Sequence, residues 1–186
     1  MKKYELTTDT KMLFGRKLFR IKALISFGDV SAGDLGGYVE KEENLSHDGN
    51  AWVYGGAKVY GDACVFGNAE VYGNARVSGD AEVYDDACVY GNACVYGGAC
   101  VYGNAEVYDD ACVYGDADYL CFKGLGSCNR NTTFFKCKDG HIHVSCGCFS
   151  GNLDEFETKV KETHGSSKYA KEYLACLEVV KIHFEV

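Results

Sequence analysis

Small and aliphatic residues alternate with polar and aromatic residues at a strict six-residue period between residues 49 and 120. Valine fills one position in eleven consecutive units, Tyr119 fills it in the twelfth, and alanine stands two residues before it in every unit. Because successive side chains of a strand point to opposite faces, the alanine and valine share one face, while the residue between them and the following tyrosine share the other. This pattern predicts a β-helix whose interior is lined by alanine and valine.

A Gly-Asn, Gly-Asp or Gly-Gly pair separates most of the units. Glycine and asparagine adopt positive φ at low cost, so each pair predicts a tight corner. Three corners close one triangular coil, and residues eighteen positions apart stack on adjacent coils. We therefore expect about four to five coils: four regular ones, preceded by a degenerate coil with Val39 and Leu45 as its inward residues.

The segments on either side of the repeat depart from this pattern and predict two caps. The open end of a β-helix exposes unpaired backbone groups and apolar side chains, so it must be covered. In residues 1–48 we expect an N-terminal β cap, with strands at 11–14 and 17–24, and the degenerate first coil. Residues 49–120 form the β-helix, and residues 121–186 form a small α+β lid.

Within the lid, Asp139 and Gly140 lie between two alternating runs, 132–138 and 141–146, which predicts a hairpin with a two-residue loop. Asn152 followed by Glu155 has the pattern of a helix start, and Gly165 of a helix end. The inward residues of this first helix are Phe156 and Val160. A second helix is predicted at 167–180 from the apolar stripe Tyr169, Tyr173, Leu174, Leu177 and Val180.

The repeat Val-x-Gly-Asn-Ala-x is similar to the hexapeptide repeat of left-handed parallel β-helix proteins, a family that includes acyltransferases and carbonic-anhydrase-like trimers. Residues 33–39 (Gly-Asp-Leu-Gly-Gly-Tyr-Val), 44–46 (Asn-Leu-Ser), 146–149 (Cys-Gly-Cys-Phe) and 154–156 (Asp-Glu-Phe) resemble segments of proteins of bacteria and their phages. Those proteins often carry the label of a transferase or a polymer-forming protein. The resemblance implies a left-handed coil and a homo-oligomer, either a trimer or a dimer.

Charge and cysteine content narrow the class of protein. The net charge is −8, and residues 49–120 hold eleven acidic residues against Lys58 and Arg76. An acidic rod repels phosphate, so we expect no direct nucleic-acid binding by the rod.

The chain has no signal-peptide pattern and no long apolar run, which predicts a cytoplasmic protein without membrane contact. Five of the eleven cysteines occupy the outward position between alanine and valine, where they resemble surface thiols.

Tyrosine follows the inward valine in most units and forms three predicted columns on the outside of the rod. The tyrosines of these columns are Tyr54, Tyr72, Tyr90 and Tyr108, then Tyr60, Tyr96 and Tyr114, then Tyr84 and Tyr102. Aromatic columns stabilise neighbouring strands by stacking. They also present more apolar surface than monomers usually expose, and tyrosine is favoured at interfaces. We therefore treat these nine tyrosines as a candidate interaction surface.

The same resemblance raises acyl transfer as an alternative function, with a site at an oligomer cleft. Hexapeptide acyltransferases use a histidine as general base and often extrude a loop from the coils. Residues 49–120 contain no histidine and no interruption, which argues against both acyl transfer and a carbonic-anhydrase-like zinc site in the rod. His47, next to Asp48, is the histidine nearest the repeat and has the features of a solvated side chain.

Metal and phosphate sites are weakly indicated elsewhere. His141, His143, Cys146 and Cys148 lie close in sequence with Cys128 and Cys137 nearby. Their spacing differs from that of structural zinc sites, and His143 and Cys146 point to opposite faces of a strand.

Corner aspartates at 62, 80, 85, 86, 109, 110 and 116 could face calcium but are typical of solvated corners. The glycine clusters at 33–37 and 123–126 lack the context of a phosphate loop. No cofactor is expected.

These observations favour a non-catalytic binding protein over an enzyme. Its partner would be a host protein or a small nucleotide signal, in keeping with a role in host–phage conflict. An acidic rod with regularly spaced carboxylates could also imitate a nucleic-acid duplex and occupy a DNA-binding protein.

Overall fold

The computed structural model describes residues 1–115, 118–137 and 139–186. The described chain is mainly β: a β-solenoid of about four turns with an antiparallel hairpin at its N-terminal end and a separate antiparallel sheet with two helices at its C-terminal end. No helix in these ranges is long and apolar enough to cross a membrane.

The N-terminal cap is a hairpin of β1 (Tyr4–Leu13) and β2 (Arg16–Ala23), joined at Phe14 and Gly15, which both have positive φ. Strand β2 pairs antiparallel with β3 (Leu35–Val39), and a short 3-10 helix follows at Glu42–Asn44. Two strands were expected here, but β1 begins earlier than the predicted 11–14. Only Tyr4 of this edge strand is fully buried, and Thr7, Thr8 and Thr10 replace the apolar residues whose alternation marks a strand in sequence.

Side chains of the cap complete the hydrogen bonding of the first coil. The buried Lys3 ammonium donates to the carbonyls of Gly49 and Ala51, and the Tyr4 hydroxyl lies within hydrogen-bond distance of the carbonyls of Glu42 and Leu45, to which its single hydrogen can be donated. These carbonyls have no further coil beyond them, and an unpaired buried carbonyl is costly. The N-terminal cap therefore covers both the apolar interior and the exposed strand edge.

The solenoid is built from strands of two residues, one outward and one inward. In the described ranges these are β4 (Trp52–Val53), β5 (Lys58–Val59), β6 (Cys64–Val65), β7 (Glu70–Val71), β8 (Arg76–Val77), β9 (Glu82–Val83), β10 (Cys88–Val89), β11 (Cys94–Val95), β12 (Cys100–Val101), β13 (Glu106–Val107) and β14 (Cys112–Val113). They pair in parallel with residues eighteen positions apart, as Val59 with Val77. The inward valines and described alanines of the repeat are fully buried, which confirms the predicted core.

The coils form three parallel sheets, which we call faces A, B and C. Face A contains β3, β5, β8, β11 and β14; face B contains β4, β7, β10 and β13; face C contains β6, β9 and β12. Val39 pairs with Val59 and Leu45 bridges to Val65, so the degenerate first coil is confirmed. In this first coil the paired residues are more than eighteen positions apart in the sequence, because extra residues lie between Leu45 and Val53.

The solenoid ends earlier than the repeat pattern suggests. Among the described residues the last parallel strand is β14, and Tyr119 begins β15 (Tyr119–Leu125), where it pairs antiparallel with Phe135. Tyr119 therefore does not extend a solenoid face as a twelfth strand, although its ring remains buried against the solenoid core. Ala117 and Asp116, which the pattern also assigns to the last unit, lie outside the described residues.

The lid sheet has the order β15, β16 (Arg130–Lys136), β17 (Ile142–Cys146) and β18 (Phe149–Asn152). The hairpin at 132–146 was expected, whereas β15 and β18 add two strands to it. Lys138, the predicted end of the first strand, lies outside the described residues. Phe135 and Cys137 face the solenoid core, while Phe134 and Val144 belong to a second core beneath the helices.

Both helices follow their sequence signals. Helix α1 (Leu153–His164) begins at Asn152, whose side chain accepts from the Glu155 N–H, and its cap is Gly165. Helix α2 (Lys168–Phe184) begins at Ser167 and extends beyond the predicted end at 180. Phe156 and Val160 of α1 pack with Tyr173, Leu177 and Val180 of α2 in the second core.

Candidate interaction surface

Face C carries a continuous aromatic column. Phe66 and Tyr84 stack with ring centroids 4.8 Å apart, and Tyr84 and Tyr102 with centroids 5.3 Å apart, with nearly parallel rings. Parallel strands lie about 4.8 Å apart, so identical side-chain conformations on successive coils bring rings into stacking distance. Tyr102, at the C-terminal end of the column, is 45% exposed.

A cavity lies at each end of this column. The N-terminal cavity has a volume of about 450 Å³ and is lined by Glu42, Glu43, His47 and Phe66, among others. The C-terminal cavity, of about 530 Å³, lies between the last coil and β15. Its lining includes Tyr84, Tyr102, Tyr119 and Lys123. The cap borders face C at the first cavity, and β15 borders it at the second.

The charges around the column are mainly acidic. Glu82 lies exposed on β9, and Glu42 and Glu43 border the N-terminal cavity. A hydrogen bond from Lys2 lowers the pKa of Glu42, so this carboxyl stays ionised. Lys123 supplies a positive charge at the C-terminal cavity. Face C therefore combines aromatic rings with the carboxylates of Glu43 and Glu82, while Glu42 is paired with Lys2.

Face B also has stacked tyrosines, but they are less accessible. Tyr72, Tyr90 and Tyr108 stack with centroids 4.7 and 4.9 Å apart. The Tyr54 hydroxyl donates to Glu70, and the Tyr90 hydroxyl donates to Glu106. The lid covers Tyr108, which is only 8% exposed, so Tyr108 cannot contribute exposed surface as the sequence pattern suggested.

Face A has an interrupted column and basic outward residues. Ser78 separates Tyr60 from Tyr96, and Tyr96 meets Tyr114 edge-on at 4.8 Å. Lys58 and Arg76 are adjacent in the outward column. Burial, followed by repulsion from Lys11 and Arg76, lowers the pKa of Lys58. The acidic character of the rod is therefore not uniform around its axis.

His47 was expected to be a solvated side chain. Instead, it belongs to the N-terminal cap. Its ring stacks on Tyr4 with centroids 4.4 Å apart, and its Nδ1 accepts a hydrogen bond from the Lys3 N–H. With Nδ1 as acceptor, the proton lies on Nε2, which is buried and 3.7 Å from a Glu42 carboxylate oxygen. These contacts hold the ring in place and give it a role in cap packing.

The outward cysteines and corner aspartates have local roles. Cys94 pairs in register with Cys112 as the repeat predicts, and both are free thiols. Asp85 and Asp109 adopt positive φ at corners where other units have glycine, and the Asp85 carboxylate accepts from the Gly103 N–H. These two aspartates thus serve the geometry of the corners. Asp116, one of the corner aspartates considered for calcium, lies outside the described residues.

The candidate metal ligands of the lid divide into two groups. Cys146 and Cys148 line a cavity of about 320 Å³ beneath the helices, together with Cys128, Arg130 and Tyr173. His143 lies on the opposite face of the sheet, as expected, where it stacks on Phe135 and burial lowers its pKa. Cys137 and His141 accompany it there. The spacing of the cysteines in the sequence did not indicate that Cys137 lies on a different side of the sheet from Cys146 and Cys148.

Residues 69–85, in the middle of the solenoid, match a family model described as the YdcK beta solenoid repeat. Together with the stacked parallel strands, this match identifies the chain as a β-solenoid repeat protein. No curated protein matches the chain.

Proposed function

We propose that this chain is a non-catalytic interaction protein that binds a protein partner along the Phe66–Tyr84–Tyr102 column of face C. The carrying observation is the position of this stacked column between two cavities. Tyrosine is enriched in interface cores because it combines a large apolar ring with a hydroxyl group. Of the three columns, this one is neither interrupted by serine nor covered by the lid.

The charge of face C indicates the chemistry of the partner. Glu43 and Glu82 would repel an acidic surface and attract lysine or arginine side chains, whereas Glu42 is already paired with Lys2. A guanidinium or ammonium group placed over a tyrosine ring also gains cation–π attraction. We therefore expect a basic segment of a foreign protein as the occupant. The resemblance to phage proteins makes a host protein the natural source.

The proposal is tested with a double variant, Tyr84→Ser with Tyr102→Ser, and a matched control, Tyr96→Ser with Tyr114→Ser on face A. Wild type and both variants are used to capture partners from a host lysate, and the captured protein is then purified for titration. The face C variant should weaken association by roughly thirtyfold per residue, since truncated hot-spot aromatics cost about 2 kcal/mol or more. The control should bind as the wild type does.

Three outcomes would contradict the proposal in different ways. Equal losses in both double variants would show that the column is not the site. Wild-type protein that sediments as a trimer or dimer, and dissociates in the face C variant, would make a second copy the occupant. Acyl transfer to amine or sugar acceptors, lost in His47→Ala, would instead support the alternative of a transferase at an oligomer cleft.

A further inference from the structure

Three side chains converge on one face of the lid hairpin. The Cys137 thiol and one ring nitrogen from each of His141 and His143 lie within 4.8 Å of one another. Cys137 and His141 are cross-strand neighbours, because the Cys137 N–H donates to the His141 carbonyl over 2.9 Å. His143 follows two residues later along the chain and so returns to the same face.

We infer that Cys137, His141 and His143 form a Zn²⁺ site at the junction between the lid and the last coil. Zinc prefers thiolate and imidazole ligands, and sites with three protein ligands keep a fourth position for water. Zinc–ligand distances of about 2.0–2.3 Å place neighbouring tetrahedral ligands roughly 3.3–3.7 Å apart. The present separations are all within 4.8 Å, so they exceed this range by at most about 1.5 Å, which rotations of the side chains, including that of the half-exposed His141, can close.

Each imidazole already has a partner for one of its two nitrogens. Asp139 contacts Nδ1 of His141 through a carboxylate oxygen, and the Ser150 hydroxyl lies 2.9 Å from Nε2 of His143. Metal-bound histidines usually have such a partner, because it fixes the ring and makes the other nitrogen a better ligand. Nε2 of His141 and Nδ1 of His143 are the nitrogens left for the ion.

The surroundings fix the position of the cluster and favour a cation. His143 stacks on Phe135 with centroids 5.1 Å apart and meets the edge of Tyr108 at 5.5 Å. Asp109 and Asp110, at a corner of the last coil, are close enough to Cys137 to act on it electrostatically. An antiparallel bridge between Ala111 and Cys137 connects the hairpin to that coil. A bound ion would therefore cross-link the two strands of the hairpin at the place where the hairpin contacts the last coil.

Cobalt titration tests the site in the full chain. Protein stripped of metal with a chelator under reducing conditions should bind one equivalent of Co²⁺ and show a thiolate-to-cobalt charge-transfer band that Zn²⁺ abolishes. Cys137→Ser should lose the band, whereas Cys148→Ser, a cysteine in the cavity on the other side of the sheet, should keep it. Asp139→Asn and Ser150→Ala should each weaken zinc binding roughly 10–100-fold.

A thermal measurement separates loss of the site from loss of the fold. One equivalent of Zn²⁺ should raise the melting temperature of the wild type and leave that of His141→Ala unchanged, while both proteins have the same circular dichroism spectrum without metal. The absence of a thiolate band in the wild type would overturn the proposal. A band that survives Cys137→Ser, or that disappears in Cys148→Ser, would also overturn it.

Discussion

The N–H of Cys137 donates to the carbonyl of His141 across 2.9 Å, and this pair fixes the register at the end of the lid hairpin. Lys136 pairs with Ile142 in the same register. As a result, Cys137 and His143 face the solenoid, whereas Cys146 faces the helices. A shift of one residue would exchange the two sets of side chains, because strand side chains alternate between faces.

An acidic side chain on the inward row should unfold the solenoid. Val89 is fully buried and pairs with Val71 and Val107 on the neighbouring coils. An unpaired carboxylate at this position costs several kcal/mol, which is a large part of the roughly 5–15 kcal/mol that stabilises a typical domain. We expect Val89→Asp to lose its cooperative thermal transition, measured by circular dichroism.

The control for this experiment is Cys94→Asp, which places the same charge on the outward row beside Arg76. Surface substitutions usually change stability by about 0.5 kcal/mol or less. An unchanged melting temperature in Val89→Asp would show that the valine row does not form the core.

The glycines at the corners differ in how closely another coil approaches them, and a pair of alanine substitutions measures this. Gly79 and Gly55 both have positive φ, but a Cβ at Gly79 would lie 2.8 Å from the Gly97 nitrogen, while a Cβ at Gly55 meets nothing within 4 Å. The backbone strain alone costs roughly 1–2 kcal/mol. In urea denaturation, Gly79→Ala should therefore be clearly less stable than Gly55→Ala. Equal losses would mean that contact between corners adds nothing.

Much of the fold was predictable because local signals and packing agree. The six-residue period determined which residues of the solenoid point inward, including Val39 and Leu45 in the irregular first coil. Asn152 and Glu155 determined the start of α1. Tyr119 was misleading, since it occupies the repeat position of a valine but pairs with Phe135 in the lid. The repeat does not indicate where the chain leaves the solenoid and enters another sheet.

The candidate sites were harder to predict because they depend on tertiary contacts. The pair Asp139 and Gly140 suggested a two-residue loop, whereas Cys137 pairs with His141, so the register differs by one residue. That difference brings Cys137 to the same face as His143. Likewise, Tyr102 and Tyr108 occupy the same position of the repeat, so the sequence predicts the same exposure for both. Only the position of the lid leaves Tyr102 exposed and Tyr108 buried.

The buried side chain of Asn44 should contribute more to stability than the exposed asparagines at the corners. Its amide nitrogen donates to the carbonyls of Gly61 and Ala63, and its oxygen accepts from the N–H groups of Glu40 and Lys41. Removing it leaves buried backbone groups unpaired, at about 1–3 kcal/mol for each. Asn44→Ala should therefore lower the free energy of unfolding by several kcal/mol in urea titrations.

Asn74 provides the matched comparison, because its exposed side chain makes one long hydrogen bond to Asn92. Asn74→Ala should change the free energy of unfolding by less than about 1 kcal/mol. If Asn44→Ala is no more destabilising than Asn74→Ala, the buried hydrogen bonds of Asn44 do not contribute to stability as expected.

The tyrosines of face B predict a loss of stability at alkaline pH. Burial, reinforced by Glu70, raises the pKa of Tyr54 to about 12, and burial beside Cys88 raises that of Tyr72 to about 12. Unfolded tyrosine has a pKa of about 10, so the folded state holds these protons more tightly. The resulting stabilisation is complete below pH of about 10 and is lost as pH rises through about 12. We expect the free energy of unfolding, from urea titrations, to fall between pH 10 and pH 12 by less in Tyr54→Phe with Tyr72→Phe than in the wild type. Comparing the two proteins at each pH cancels the contributions of other titrating groups. One of these is Lys3, whose pKa is lowered to about 8 by burial, so its titration changes the free energy of unfolding in the opposite direction. Identical falls in the two proteins would show that these hydroxyls titrate as they do in the unfolded chain.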